Sequence, residues 1–430
     1  MTATIAVQLF LVGLGMLYYL TLTVLGVRAL RRRSVPRPRA SRGGIRRVYA
    51  LVPCLNEEPV IGETVRRLVA DRRVTVVVVD DGSIDDTGDV ARAAAAGAAG
   101  RLHVVRRELP DARRGKGEAL NAGFAMVERL VEADGLAADQ VLVCVMDADG
   151  RLSDRALDAV LPLFADPTVG GVQLSVHIRN RTMLIGRMQD VEMAGVSSVA
   201  QFGRMALGTV SLGGNGQFTR LTALRGLGPR PWTRCLTEDL DLTARLATAG
   251  WRLTSTTRAY VDQQGVESWR QLLRQRSRWA QGHMSCIAQL PRIWWAPQVS
   301  HLGAIELMLY LLLPWTQLLW SGLFLLAVAG HGLDALTGAA LGLRLDELPM
   351  LAASLAGWYT LSFVPNWIGA YLYRLRRPGT GPLRALTSGH LLLLAALLGS
   401  LAIWRGFLGL ITGRNTWVKT TRVAEPAPAG

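Results

Sequence analysis

Val74-Thr75-Val76-Val77-Val78-Val79-Asp80-Asp81-Gly82-Ser83 is the stretch whose reading decides the fold class. Its first six residues are all β-branched and leave no polar face, so they read as a strand buried on both sides, as in sheets covered by helices. The acids and glycine that follow stop the strand in a turn. Similar runs flank it: 48–52, 102–105 and 141–146 read as strands, and 58–69, the alanine-rich stretch to about 96, and 117–132 read as helices between them. That alternation predicts an α/β domain with a mostly parallel sheet. Ligands of doubly wound sheets gather at the carboxyl ends of strands, where Asp80-Asp81 and Asp147-Ala148-Asp149-Gly150 both fall.

Further along, 172–178 reads as another strand and 184–205 as a helical stretch with few breakers. A glycine-rich turn follows at Gly213-Gly214-Asn215-Gly216, and Thr237-Glu238-Asp239 opens a helix to Ala249. Thr237 has the chemistry of a helix cap, and acids in a first turn suit the helix dipole, so Glu238 and Asp239 also have a purely structural account. Residues 265–290 alternate Trp269, Leu272, Leu273, Trp279 and Ile287 with arginines and glutamines, an amphipathic stretch suited to a membrane interface, and Ile293-Trp294-Trp295 forms an aromatic belt.

With 430 residues, half of them hydrophobic, the chain accommodates one large soluble domain and a few membrane spans. Residues 1–27 carry no charge, and 5–27 is long enough to cross a bilayer. No basic region precedes that run, so it reads as an uncleaved span with its amino terminus outside. Arg28, Arg31, Arg32, Arg33, Arg37, Arg39, Arg42, Arg46 and Arg47 follow it without an acid, and with Pro36 and Pro38 they mark a basic cytoplasmic linker over 28–45. The net charge of +15 is thereby assigned to anionic lipid headgroups rather than to nucleic acid. Three more apolar runs, 302–330, 349–373 and 385–404, make a carboxyl-terminal membrane region over 301–413. The arginine bias puts 331–348 outside and Arg374, Arg376, Arg377 and Arg384 inside. The last run either crosses, leaving the 414–430 tail with Arg414, Lys419 and Arg422 outside, or forms a re-entrant hairpin broken near Gly399-Ser400. Cys54, Cys144, Cys235 and Cys286 lie far apart without metal-ligand spacing and read as incidental thiols.

The first strand is not followed by GxGxxG, and no P-loop signature occurs, so neither NAD nor a Walker-type nucleotide site is expected. Asp147 and Asp149, one residue apart past a strand end, present two hard oxygen ligands to one side, suited to Mg²⁺ or Mn²⁺ with a diphosphate; a solvated turn is the plainer account. Asp80 and Asp81 suit a base imide and a ribose, and Lys116 suits a diphosphate unless it is an exposed first-turn lysine. In Gln275-Arg276-Ser277-Arg278-Trp279, an arginine fork suits a phosphate and an indole face supports a sugar ring. His177 and His283 read as structural histidines.

Taken together, Val52-Pro53 to Glu57, Asp80-Asp81-Gly82-Ser83, Lys116 with Ala119-Leu120-Asn121, Asp147-x-Asp149, Thr237-Glu238-Asp239 and Gln275-x-x-Arg278-Trp279 resemble, in order and spacing, the membrane-bound family 2 glycosyltransferases, which include cellulose, hyaluronan, chitooligosaccharide and poly-N-acetylglucosamine synthases. The motifs cover about 46–300. The resemblance implies a GT-A, Rossmann-like catalytic domain over 46–264 on the cytoplasmic membrane face, an interfacial segment over 265–300, and inverting transfer from a nucleotide diphosphate sugar, usually UDP-linked. It further implies that Asp239 is the general base. Pro53, Glu57, Asp80, Asp81, Lys116, Glu238, Gln275 and Arg278 would bind the nucleotide sugar, Trp279 the acceptor, and Asp147 and Asp149 a divalent metal. The loop Gly214-Asn215-Gly216-Gln217-Phe218-Thr219-Arg220 departs from the cellulose and hyaluronan synthase patterns. The leading expectation is extension of an exopolysaccharide fed outward between the spans, with a homo-oligomer or secretion partner completing a thin channel wall. The alternatives are transfer of one sugar to a membrane lipid and, from another class, a silent nucleotide-sugar scaffold.

Overall fold

In a computed structural model, which describes residues 2–32, 44–336, 348–413 and 422–423, all seven residues of the strand grown from the valine run are buried. Among the described residues the strands are β1 (Arg47–Cys54), β2 (Val74–Asp80), β3 (Leu102–Arg106), β4 (Val141–Val145), β5 (Arg151–Leu152), β6 (Val169–Ile178), β7 (Gln217–Arg220) and β8 (Arg252–Gln263). They form one sheet in the order β3-β2-β1-β4-β7-β6-β8-β5. Its first half is parallel throughout, as the alternation predicts. The second half corrects that expectation. β7 lies antiparallel between β4 and β6, β6 and β8 are parallel, and β5 is antiparallel to β8. The helical excursion after β6 leaves and re-enters the sheet at the same end, so β7 must run back against its neighbours.

Helices α2 (Glu58–Ala70), α3 (Thr87–Ala94), α4 (Lys116–Ala133), α5 (Ala156–Val160), α6 (Leu184–Asp190), α7 (Ser198–Arg204), α8 (Leu221–Arg225) and α9 (Glu238–Thr248) pack on the sheet, while α1 (Thr2–Arg31), α10 (Trp269–Ser285), α11 (Leu290–Trp294), α12 (His301–Leu336), α13 (Leu348–Arg376) and α14 (Pro382–Ile411) pack chiefly on other helices. Strand alternation divides the valines between two cores. Val76 and Val78 pack with Ile61 and Val65 of α2 and Ala91 of α3, whereas Val77 and Val79 pack with Leu120, Phe124 and Val127 of α4. Each such buried valine contributes about 1.5 to 3 kcal/mol over an exposed one. The helical stretch predicted over 184–205 is not uniform, because a π-helical segment, Val191–Ser197, separates α6 from α7.

Three helices among the described residues contain segments long and apolar enough to cross a membrane: Phe10–Arg31, His301–Leu326 and Pro382–Ile411. α1 crosses α7 closely, since a Cβ built on Gly203 would lie 2.4 Å from the Leu22 carbonyl oxygen and one on Gly26 only 2.1 Å from that of Val199. Beside this crossing, Tyr18 donates to Glu306 at 2.7 Å, and Arg204 donates to both Glu306 and Tyr18 at 2.7 Å, joining α1, α7 and α12. α14 is continuous through Gly399-Ser400, which corrects the broken hairpin. It runs along the sheet-bearing body. Leu391, Ala395 and Leu398 pack against Ile185, Met188, Val266 and Leu272, and Gly406 meets Ser277 and Gln281 of α10. After it, Arg422 and Val423 lie against that body, both hydrogen-bonded to Gln264. The linker residues 33–43, the loop residues 337–347 and the tail cations Arg414 and Lys419 lie outside the described residues.

Candidate active site

The carboxyl ends of β1 and β4 meet the amino ends of α4 and α9 around a cavity of about 390 Å³. Pro53, Glu57, Asp81, Lys116, Asp147, Asp149, Glu238, Asp239, Gln275, Arg278 and Trp279 all line it, so motifs spread over more than half the chain share one space. Asp80 does not. Its Oδ1 accepts from the Ser83 amide at 2.9 Å, its Oδ2 is held by Arg106, and it faces a separate concavity with Asp85 and Asp89. Asp81 takes the inner position: its amide donates to the Cys54 carbonyl at 2.8 Å, and Arg107 holds one carboxylate oxygen. The other, Oδ2, is buried without a hydrogen-bond partner.

Lys116 is no exposed first-turn lysine. Its Nζ donates to Asp147 at 2.7 Å and to the Gly214 carbonyl at 2.8 Å, and lies 3.8 Å from Glu238. Burial works against its charge, but Asp147 and Glu238 more than compensate and hold its pKa above the ordinary lysine value. Gly214 permits this contact, because a Cβ there would lie 2.5 Å from Nζ. The loop around it is fastened from beneath. Gln173 accepts from the Gly213 amide at 2.7 Å and donates to the Asn215 carbonyl at 2.8 Å, while Asn215 Oδ1 accepts from the Asp147 amide at 3.2 Å.

Asp149 is almost fully buried and accepts from the Gln264 amide at 2.7 Å. Its Oδ1 has no hydrogen bond, and Arg422 stands 3.4 Å away. Burial raises its pKa against the opposing charge of Arg422. Arg422 donates in turn to the Gln264 carbonyl, and the Val423 amide to Gln264 Oε1 at 3.0 Å. The tail therefore forms part of the cavity wall, a role that its distance in sequence conceals.

Glu238 and Asp239 begin α9. Burial raises both pKa values, and the neighbouring Asp239 charge adds to the shift on Glu238. Asp239 is kept in place by the Leu240 amide, which donates to Oδ1 at 2.8 Å. Thr237 does not cap α9 with its hydroxyl; only its carbonyl takes part, accepting from the Asp241 amide at 3.1 Å. The hydroxyl lies instead 3.6 Å from the sulfur of Cys286, which is 3.8 Å from that of Cys235, so two thiols read as unrelated are neighbours behind α9.

The amphipathic stretch becomes α10, whose start is capped by Ser268 accepting from the Gln271 amide at 3.3 Å. It is wedged between the cavity and α14. Burial lowers the Arg278 pKa, with Glu238 and Asp147 opposing the shift. The Trp279 ring has the Arg276 guanidinium 4.6 Å from its centroid, and Glu192 fixes that guanidinium at 2.8 Å. Past Trp279 the lining continues through Met193 of the π-helical segment, Gln201, His283 and Tyr310 of α12. His283, read from sequence as structural, thus reaches the cavity; its spacing of four from Trp279 was the available signal.

Residues 46–282 match the family described as glycosyltransferase like family 2. The chain is 34% identical over 245 residues to the beta-monoglucosyldiacylglycerol synthase of Synechocystis sp., an alignment covering 55% of this chain and 47% of that protein. It is 25% identical over 243 residues to the poly-beta-1,6-N-acetyl-D-glucosamine synthase of Staphylococcus aureus, covering 54% of this chain and 53% of that one. The chain thus spans about half the length of these relatives. Its structure is similar to that of a mannosyltransferase from Pyrobaculum calidifontis in complex with GDP-Man and Mn²⁺, with a TM-score of 0.61, 20% identity, and coverage of 96% of this chain and 98% of that one. The fold is therefore GT-A-like, with a curled mixed sheet.

Proposed function

Because the chain belongs to glycosyltransferase family 2, we propose that it transfers a hexosyl group, with inversion, from a nucleotide diphosphate sugar to the free hydroxyl of a membrane lipid. The observation that carries this reading is the course of the cavity: it begins at the carboxylates of the sheet and ends against α12, an apolar helix of membrane-crossing length. The similarity to a synthase named for a glucosyldiacylglycerol supports a lipid acceptor over the exopolysaccharide expected from sequence. The donor is read as UDP-linked, and the arginines after α1 support a cytoplasmic position for the sheet-bearing body.

In this reading Asp81 accepts a hydrogen bond from the nucleobase, and Lys116, Arg278 and Arg422 face the diphosphate. Asp239 takes the proton of the acceptor hydroxyl as that oxygen attacks the anomeric carbon from the face opposite the leaving group. Burial raises its pKa, which makes it a stronger base than an exposed aspartate, and the Lys116 charge opposes that shift. Trp279 supports the acceptor side, its ring stiffened by Arg276. The donor set fits a divalent cation: Asp147 and Asp149 supply hard oxygens, and Asp149 Oδ1 is buried without a hydrogen bond. No group of three or more such side chains occurs among the described residues, so the remaining ligands would be diphosphate oxygens and water. When bound, Mg²⁺ or Mn²⁺ would neutralise charge developing on the leaving diphosphate.

The test is a transfer assay with purified full-length protein in detergent, Mn²⁺, radiolabelled UDP-glucose or UDP-N-acetylglucosamine, and diacylglycerol. A labelled glycolipid carrying one β-linked sugar is the expected product. Long water-soluble polymer with no glycolipid would refute the lipid acceptor.

A further inference from the structure

Cys235 and Cys286 are 51 positions apart in the chain, yet their sulfurs stand 3.8 Å from each other. Cys235 comes two residues before the turn Thr237-Glu238-Asp239, and Cys286 caps the end of α10, the helix that carries Gln275, Arg278 and Trp279. The thiols thus face each other across the joint between the proposed base and the leaving-group end of the site. That joint is packed without slack. A Cβ built on Gly282 would lie 2.7 Å from the Thr237 amide nitrogen, and Cys286 packs with Leu240 and Ala244 of α9, Ile293 of α11 and Leu307 of α12.

The pair has the asymmetry that a two-step thiol exchange needs. Cys235 is partly exposed, whereas Cys286 is buried. The Cys286 thiol, hydrogen-bonded to the Cys235 sulfur, favours the Cys235 thiolate against the cost of burial and holds that pKa below the ordinary thiol value; the same contact raises the pKa of Cys286. Thr237 offers a second donor, its hydroxyl 3.6 Å from both sulfurs. Ser285 does not, because its hydroxyl gives its proton to the Gly282 carbonyl at 2.6 Å. The accessible sulfur is therefore also the nucleophilic one.

We propose that Cys235 and Cys286 form a redox-responsive dithiol, closed to a disulfide by a low-molecular-weight disulfide of the glutathione class, and that the closed form arrests sugar transfer. The Cys235 thiolate attacks one sulfur of the small disulfide, whose S–S bond breaks, and the first small thiol leaves and takes a proton from water. Cys286, no longer facing a thiolate, then loses its proton to solvent, and its sulfur displaces the second small thiol from Cys235. Two electrons pass from the protein thiols to the two small thiols released. A disulfide holds its sulfurs about 2.05 Å apart. Because α10 already touches the backbone at Thr237, the turn that aims Asp239 takes up the shift. In a reducing compartment such a bond is transient and serves as a sensor.

Intact protein in detergent is incubated with oxidised or reduced glutathione, alkylated in denaturant, digested with trypsin without reduction, and mapped by mass spectrometry. UDP release from UDP-glucose with diacylglycerol is measured in parallel. Oxidised glutathione should join peptide 235–245 to peptide 279–292 and leave Cys54 and Cys144, both almost fully buried, as free thiols. UDP release should fall at least about tenfold, as a displaced base requires, and dithiothreitol should restore it. Cys235→Ala should keep the reduced rate within about twofold and ignore oxidised glutathione, since the buried Cys286 then stands alone. Separate peptides after oxidation of the wild type overturn the inference, as does full cross-linking with unchanged UDP release, or equal inhibition of Cys235→Ala. The mapping needs no turnover and no particular acceptor, so its failure is distinct from failure of the lipid-transferase reading.

Discussion

The guanidinium of Arg422 stands 3.4 Å from the carboxylate of Asp149, so a residue from the end of the chain closes the site that begins at the end of β4. Without that cation, Asp149 Oδ1 is a buried oxygen without a hydrogen bond, left with the weaker counter-charge of Arg179. Arg422→Ala should therefore cost the nucleotide-free protein about 1 to 3 kcal/mol in denaturant unfolding. Mn²⁺ should restore more stability to this variant than it adds to the wild type; an equal increment in both would mean that the two charges do not compete for Asp149.

Asp239→Asn keeps the size of the side chain and its contact with the Leu240 amide while removing the base. The transfer rate should fall about 10² to 10⁴-fold. Affinity for UDP, read by calorimetry, should change by less than about threefold. Near-normal turnover would assign the base elsewhere.

Glu238 supplies a pH signature. Burial and the adjacent Asp239 push its pKa up to about 8 from a usual 4.5. Between those values the folded protein binds a proton that the unfolded chain has released, so this residue makes stability fall as pH rises through that window. Glu238→Gln removes the effect. Melting temperatures of the two proteins, free of metal and nucleotide, should differ little at pH 4.5 or below and diverge up to pH 8, with the variant the more stable at the alkaline end. Parallel profiles would show that Glu238 is ionised throughout.

The crossing of α1 over α7 is set by backbone contact. A methyl group on residue 203 would lie 2.4 Å from the Leu22 carbonyl oxygen, so Gly203→Ala must push the helices apart. The expected loss is about 1 to 3 kcal/mol, measured by thermal unfolding in detergent. An unchanged melting temperature would show that α1 is loosely held.

What could be read in advance follows from how local each signal is. Val74 to Val79 announces a buried strand because its composition allows nothing else, and the placement of Asp147 and Asp149 follows from where their strand stops. The divergence of Asp80 from Asp81 escaped because it depends on Arg106 and Arg107 of the next strand's end, which claim one carboxylate each. β7 runs backward because of where a helical excursion re-enters, which no periodicity encodes. Arg422 and the Cys235–Cys286 contact are products of tertiary return, whereas His283 was legible in helical spacing and was set aside because most buried histidines are structural.

The hydrogen bond from Tyr18 to Glu306 imposes an order of manufacture. The two residues are 288 positions apart, and the whole sheet lies between them in the chain. A ribosome delivers Tyr18 and Arg204 long before Glu306, so neither can complete its contacts until α12 emerges. The crossing of α1 over α7 needs only residues up to 204, so it precedes the link to α12.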